Sequence, residues 1–416
     1  MSAFRVAFTL LGLLGLPTGG FAQTAGSGPA GPGCATRGEG FVTLAGTGTC
    51  VDPGGYLWAE GYYNSYTDYP SGDDRTYGIA TLGLTLDTAT PTSAGPLLGF
   101  VDVRLRYRGA DAWSDGPAKA EIAPWNVYLE FGGFTGGYRQ SMFDFYSNAN
   151  VAGTDPYTIG DGEQISLLAY TRDFAGGWRA TLSAEDASAR GGGVIAADAG
   201  ATARFGQDSD IPDIVATVAR TRDRGDFQVS GALHRIRAAT PSRGYAGASD
   251  PETWGYALQA GAMVKLPRLA AGDSLYLQTA FVDGAVSYLG LVDASGDFSP
   301  PDAYITAEGG LSKVSGWNVT AQFLHDWAPA WQSAFFGGFA RFDIDDAAAR
   351  TSQGASGGDN FNLGANLTWT PEAPLSFVAQ YAYNRYAARD YTDTGNGLPE
   401  ASQEAHQLLL MVEYTF

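Results

Sequence analysis

The chain has 416 residues, of which 57 are glycine and 13% aromatic, and only 17% are charged, with a formal net charge of −19 at pH 7. So acidic a balance argues against nucleic acid as a partner, and so low a charge fraction is unusual for a soluble protein of this size. Length alone would admit two or three soluble domains, yet no composition break marks a linker after residue 55.

At the start, Arg5 supplies a cation, Val6 to Leu16 is an apolar run broken by Gly12 and Gly15, and Gly20-Phe21-Ala22 is a small-x-small cleavage pattern before Gln23. Residues 1–22 therefore read as a secretory signal, about half the length of a bilayer-spanning helix. No later stretch approaches about 18 uninterrupted apolar residues, so no helical anchor is predicted. Residues 23–54 form a Gly-rich segment that holds both cysteines, Cys34 and Cys50. Export to an oxidising compartment makes a disulfide their expected state, closing a short loop worth up to roughly 3 kcal/mol on the entropic model. With no neighbouring His they form no zinc pattern.

From Gly55 to Phe416 the chain reads as alternating segments of roughly ten residues separated by turn signals, the pattern of a transmembrane β-barrel. Predicted strands cover 55–66, 76–87, 98–109, 123–131, 134–143, 163–172, 177–187, 214–221, 226–237, 253–265, 273–285, 303–313, 315–327, 331–344, 361–370, 375–388 and 403–416. Bacterial barrels close with an even number, so these seventeen cannot all be wall strands. Short reversals at 174–177 and 222–225 alternate with long polar stretches at 187–213, 238–253, 292–302 and 347–360, which read as external loops.

Two segments define the wall. In Val101 to Arg108, the apolar Val101, Val103, Leu105 and Tyr107 alternate with Asp102, Arg104, Arg106 and Arg108. Arg at the midplane of a lipid-facing wall costs about 2–4 kcal/mol, so the arginine face is expected to line water. The same logic places Phe336, Ala340, Phe342 and Ile344 on the lipid side and Arg341 and Asp343 inside. At the end, Leu408, Leu410, Val412, Tyr414 and Phe416 share one face, and an open edge in lipid would leave backbone groups unsatisfied. A closing strand is therefore predicted, with Tyr414 and Phe416 as its assembly signal.

Three stretches carry a resemblance: Cys34 to Glu60, with its Gly-x-Gly-Phe and Gly-Thr-x-Thr-Cys elements; Asn126 to Tyr146; and Trp254 to Gly290, with Leu266-Pro267 and Gly272-Asp273. His325 to Pro329 has a similar look. They resemble the porins of alphaproteobacterial outer membranes, of the rhizobial and Brucella type. The resemblance implies an all-β fold, a 16-stranded antiparallel barrel, and a loop after Phe145 folded inward to narrow the pore. It also implies a homotrimer in the bacterial outer membrane, among lipid and lipopolysaccharide, passing small hydrophilic solutes and ions without a cofactor. Ala45 stands where the family pattern suggests proline, and Tyr138-Arg139 replaces a Gly-Arg order, which leaves the direction of Arg139 open.

On that reading the constriction sets Asp144, Asp155, Asp161 and Glu163 of the loop against Arg104, Arg106, Arg108 and Arg139 of the wall, giving a transverse field that favours dipolar solutes. Other groups read as structural. His234, His325 and His406 are unclustered; Asp343, Asp345 and Asp346 lack the glycine and Glu of a calcium loop; and Tyr62, Tyr63, Trp125, Trp327, Trp331 and Trp369 suit interface girdles. Two rivals are a sugar-specific channel, which needs an aromatic trail through the lumen, and a membrane hydrolase, for which Ser230 near His234 is the nearest Ser-His pair.

Overall fold

The computed structural model describes residues 34, 37–38, 40–67, 75–109, 118–146, 150–154, 157–160, 162–197, 204–205, 210–238, 251–291, 300–393 and 402–416. The predicted signal, 1–22, and Asp155 and Asp161 lie outside them. Sixteen strands build one closed antiparallel barrel. They are β1 (Cys50–Thr67), β2 (Arg75–Thr92), β3 (Gly95–Arg108), β4 (Lys119–Phe131), β5 (Phe134–Gln140), β6 (Gln164–Phe174), β7 (Trp178–Glu185) and β8 (Asp213–Arg222) in the first half. The second half is β9 (Gly225–Arg237), β10 (Glu252–Lys265), β11 (Ser274–Asp283), β12 (Leu311–Ala328), β13 (Trp331–Ile344), β14 (Gly357–Glu372), β15 (Leu375–Arg389) and β16 (Ser402–Thr415).

Each strand pairs with the next, and β16 closes on β1 in a register that sets Tyr56 opposite Thr415 and Thr67 opposite Glu404. The seam ends in a reciprocal pair of 2.9 Å hydrogen bonds, in which the Gly55 N–H donates to the Phe416 carbonyl and the Phe416 N–H to the Gly55 carbonyl. No strand edge is left for lipid, as a membrane barrel requires. Short turns gather at one end and long connections at the other.

Side chains of period two give the wall its two faces. Leu408, Leu410, Val412, Tyr414 and Phe416 are 38–60% exposed on the outside, as predicted, while Leu409 and Met411 between them are buried inside against Tyr62. Leu57, Leu105, Ile122, Leu168, Leu182, Leu233, Leu258 and Leu363 continue the outer apolar surface. Left in water, each such side chain would forgo roughly 1.5–3 kcal/mol, so this surface belongs in lipid.

The surplus predicted strand is 303–313. Ala303–Ile305 is a short inner piece, fully buried, that pairs antiparallel with Leu311–Lys313 and parallel with Val194–Ala196. Its apolar run lies between another connection and the first residues of β12, folded inside the barrel, so it adds no strand to the wall although its periodicity is that of one. The first strand also starts earlier than expected, at Cys50, and the Cys34–Cys50 disulfide (S–S 2.06 Å) packs on Ala89 and Leu98 at the short-turn end.

A second expectation is reversed. Phe336, Phe342 and Ile344 point inward, each 2–3% exposed, and Arg341 faces out to Asp359 (Nε–Oδ1 2.7 Å). The inner face of β13 is apolar because it is not wet. Phe336 joins Tyr157 of the inward loop, and Phe342 and Ile344 join Phe143, Tyr288, Leu289 and Tyr304 from tucked-in connections. Of the predicted girdle, Trp327, Trp331 and Trp369 are 39–59% exposed on the outer wall, whereas Tyr62 is buried on the inner face and Trp125 turns its ring onto inward-facing Arg104.

Candidate pore constriction

The chain leaves β5 at Gln140 and returns to the wall at Gln164, and most of what lies between is laid along the inner wall. At its root the Ser141 hydroxyl donates to Glu185 Oε2 (2.6 Å) and the Met142 N–H to Glu185 Oε1 (2.9 Å). Neutral amides then carry the loop round the barrel. Gln259 Nε2 donates to the Phe143 carbonyl (2.7 Å), with Gln228 beside it. Gln278 Oε1 accepts from the Tyr146 N–H (2.7 Å), and Asn366 Nδ2 donates to the Asn150 carbonyl (2.7 Å). Gln380 accepts from the Ala152 N–H (2.8 Å) and donates to the Ala152 carbonyl (2.9 Å).

The far tip reaches β1, where Glu60 accepts from both the N–H and the hydroxyl of Thr154 (2.7 Å each). On the way back Asn362 donates to the Tyr157 carbonyl and Thr320 to the Ile159 carbonyl (2.7 Å each). Each bond is worth about 1 kcal/mol net, and their number fixes the path. Gly261 lets the loop sit this close: a Cβ there would fall 2.2 Å from the Phe145 ring.

A buried charge network locks the root to the outer connections. Arg190, in a one-turn helix at Ala187–Arg190, donates to both oxygens of Asp144 (3.0 and 2.9 Å) and stacks over Tyr288 (4.5 Å). The Tyr288 hydroxyl donates to Asp213 (2.6 Å), which also holds His234 Nδ1 (2.8 Å), and His234 Nε2 faces Asp302 (3.6 Å). Burial pushes the Asp144 carboxyl up to about 6, against the pull of Arg190 and the Glu163 N–H. Burial also opposes charge on Arg190, but Asp144 with Tyr288, Glu163 and Glu185 outweighs it and keeps the guanidinium protonated.

Among the described residues no hydrogen bond joins the loop to β2, β3 or β4, and this wall carries the charges. Arg106 Nη1 pairs with Glu121 (3.1 Å) and Arg139 Nη1 with Glu130 (3.2 Å). Arg104 is only 3% exposed; it donates to the Tyr56 hydroxyl (2.6 Å) and lies over Trp125 (3.9 Å) and Trp58 (4.9 Å). On β4 the register slips at Trp125, between Val103↔Pro124 and Asp102↔Asn126, so alternation changes phase there.

A barrel with a loop docked inside, and one charged wall to which no described loop residue is hydrogen-bonded, has the form of a solute channel. A family model described as the porin subfamily matches residues 33–409. The chain is a porin. It is an outer-membrane channel for small solutes. No curated protein matches it significantly in sequence. Among solved structures it is similar to the outer-membrane channel DcaP of Acinetobacter baumannii, at 17% identity and TM-score 0.68, covering 89% of this chain and 98% of that one. It is also similar to Salmonella typhi OmpF in complex with daunomycin (13%, 0.53, 89% and 98%) and to an anion-selective porin from Comamonas acidovorans (13%, 0.51, 88% and 100%). At such identities the likeness speaks for the fold.

Of the residues the sequence singled out in this porin, Arg104, Arg106 and Arg139 share the inner face of β3–β5, with Arg108 next along β3, and Glu163 is exposed at the loop's return. The open direction of Arg139 resolves inward, beside Tyr128 (4.5 Å) and Glu130. Asp144 is a correction: at 7% exposure under Arg190, it anchors the loop instead of facing the passage. Nor are the histidines isolated: His325 Nδ1 meets Asp273 (2.7 Å) and His406 meets the Tyr381 hydroxyl (2.7 Å). Ser230 is bonded to Gln228 (3.0 Å), not to His234. Asp346 caps a helix at Ala347–Gln353, and Asp343 pairs with Arg389.

The docking amides went unread, although they carried a signal. Gln228, Gln259, Gln278, Gln380, Asn362 and Asn366 stand mid-strand on an inner face that could have been charged had it faced water.

Proposed function

We propose that this porin is a general diffusion channel whose passage runs between the inward loop and the inner wall of β2–β5, constricted by Arg106, Arg108 and Arg139, with Arg104 held behind them against Tyr56 and Trp125, on one side and Asp155, Asp161 and Glu163 on the other. The observation that carries this is the loop's path: among the described residues its hydrogen bonds cover β7–β12, β14, β15 and β1, and none of them reaches Arg104, Arg106 or Arg139. The arginines are partly neutralised by Glu121 and Glu130, whose side chains are the more exposed partners (37% and 30% against 12% and 11%), which favours weak cation selectivity.

Trp58 and Trp125, the rings a sugar would stack on, are taken by the Arg104 guanidinium, which weighs against a sugar-specific channel. A channel role also leaves no place for catalysis, and Ser230 and His234 are buried and partnered elsewhere. Export with removal of 1–22, kinship with the alphaproteobacterial branch and assembly as a homotrimer belong to the same reading. The trimer is supported by the outer face of β1–β4 and β16, where Ala59, Ala80 and Ala120 form a shallow apolar hollow between Leu57, Leu105 and Ile122 that a second copy can fill. Outward Arg341 and Arg385 at the long-connection end suit lipopolysaccharide phosphates.

Planar-bilayer recording tests the proposal. We expect stepwise conductance that scales with salt and is unaffected by candidate sugars; saturable block by a sugar, or no conductance from folded protein, would overturn it.

A further inference from the structure

The inner face of β1–β4 changes charge along the strands, a feature that constriction alone does not use. On β3 the inward series from the short-turn end is Leu98, Phe100, Asp102, Arg104, Arg106 and Arg108. Register extends this across the wall. Asp52 on β1 lies opposite Asp87 on β2, which lies opposite Phe100, while Trp58 lies opposite Thr81, which lies opposite Arg106, which lies opposite Glu121. One step further out, Arg108 lies opposite Lys119.

The half towards the short turns therefore presents Asp52, Asp87 and Asp102 with Glu130, and the half towards the long connections presents Arg104, Arg106, Arg108 and Lys119 with Glu121. Pairing sharpens the division. Glu130 is matched by Arg139, Glu121 by Arg106 and, across the boundary, Asp102 by Arg104 (3.9 Å), and Glu60 is spent on the loop tip. Asp52 and Asp87 face one another with no salt bridge among the described residues, so by formal charge the described inner half is net negative, while Arg108 and the exposed Lys119 leave the described outer half net positive. In a membrane barrel of this kind the short turns are periplasmic and the long connections external.

We propose that the passage is polarised along its axis, with a cationic outer flight and an anionic inner flight on the same wall, and that it therefore rectifies ion flow. This rests on the channel reading above and adds the residues that set its direction. Mobile ions collect where fixed charge of opposite sign attracts them. When the periplasmic side is positive, cations enter through the aspartates and anions through the arginines, and both accumulate at the boundary near Asp102 and Arg104. With the polarity reversed, both are drawn out of the passage and its conductance falls. Fixed charges are screened over about 10 Å at 0.1 M salt and about 3 Å at 1 M, so the asymmetry belongs to dilute salt.

The test is current–voltage recording of protein inserted in one orientation at 0.1 M and 1 M potassium chloride, for wild type, Asp52→Asn/Asp87→Asn and Arg106→Gln/Arg108→Gln. We expect wild type to conduct better with the periplasmic side positive at 0.1 M and nearly symmetrically at 1 M. Both double variants should lose most of the asymmetry, while their reversal potentials in a salt gradient move in opposite directions, the aspartate variant towards anions and the arginine variant towards cations. An open channel with symmetric current at 0.1 M would overturn the proposal, as would rectification that survives in a folded aspartate variant; the channel reading itself fails only if folded protein does not conduct. Because Asp→Asn keeps shape, heat-modifiable migration should certify the variant's fold, and the salt dependence of wild type provides a test that needs no variant.

Discussion

The inner wall from β9 to β15 and the inner wall from β2 to β5 alternate with the same period and line the same lumen, yet their chemistry is opposite. The first offers Gln228, Gln259, Gln278, Gln380, Asn362 and Phe336, all nearly inaccessible because a loop lies on them; the second offers Arg106, Glu121, Glu130 and Arg139. Burial explains the difference. A covered face must satisfy loop carbonyls and N–H groups with neutral partners, since a charge there would need its own counter-ion, whereas a face left to water can hold charge at little cost. Inward therefore does not mean wet, and half of this lumen is a protein core.

The most damaging change should fall where the two halves are stitched together. Deleting Phe416 removes both hydrogen bonds to Gly55 and leaves unsatisfied backbone groups that cost several kcal/mol each in lipid, so we expect the heat-modifiable, folded fraction in outer membranes to collapse. Normal membrane levels would show that the seam is not closed by this residue.

Next in size is the root of the covered half. Arg190→Met strands Asp144 in a buried site, and breaking such a pair costs about 3–5 kcal/mol, so the loop should become protease-sensitive and the open-channel current noisy. Its pH dependence has a definite sign. Folded Asp144 holds its proton up to about pH 6, above the ordinary carboxyl value of 3.8, so the stability owed to its neutral form is complete below that ordinary value and lost as pH rises through about 6. Arg190 is what pulls that carboxyl down, so in Arg190→Met it titrates higher still, and the damage, which comes from the stranded carboxylate, should grow towards alkaline pH and shrink in acid. Equal noise at pH 5 and pH 8 would contradict this.

On the open half, two arginines two residues apart should behave differently. Arg104→Gln loses the Tyr56 hydrogen bond and the Trp58 and Trp125 faces, so its cost should appear in thermal unfolding, about 2 kcal/mol, with little change in reversal potential. Arg106→Gln should do the reverse, shifting the reversal potential towards cations and leaving the unfolding temperature nearly unchanged. Smallest of all, Cys34→Ser breaks a disulfide at the short-turn rim, remote from both halves, and single-channel conductance should stay within the scatter of wild type.

How much of this could be read beforehand follows from the same contrast. The closing strand and the inward turn of the β3 arginines were legible, because there the outer side meets lipid and alternation of residue type reports it. On β13 the alternation was equally visible but its sense was misjudged: Phe336 and Phe342 looked like lipid contacts, and only the docked Tyr157, Leu289 and Tyr304 show what they cover. Residues 303–305 have the composition of a strand and pair as one, but against another connection and the first residues of β12, inside the wall. Asp144 was found as a chemically important residue and placed on the wrong surface, since its partner Arg190 lies 46 positions away and nothing local points to it.

The claim on which the rest depends is that solutes pass along β2–β5 and not behind the loop, and thiol accessibility in the open channel tests it most directly. Glu121→Cys and Asn362→Cys place one thiol on each half, the first replacing a side chain 37% exposed and the second a residue 1% exposed beneath the Tyr157 carbonyl. A charged, water-soluble thiol reagent should alter the conductance of Glu121→Cys within its mixing time and leave Asn362→Cys unchanged. Modification of Asn362→Cys with Glu121→Cys silent would put the passage on the other side of the loop.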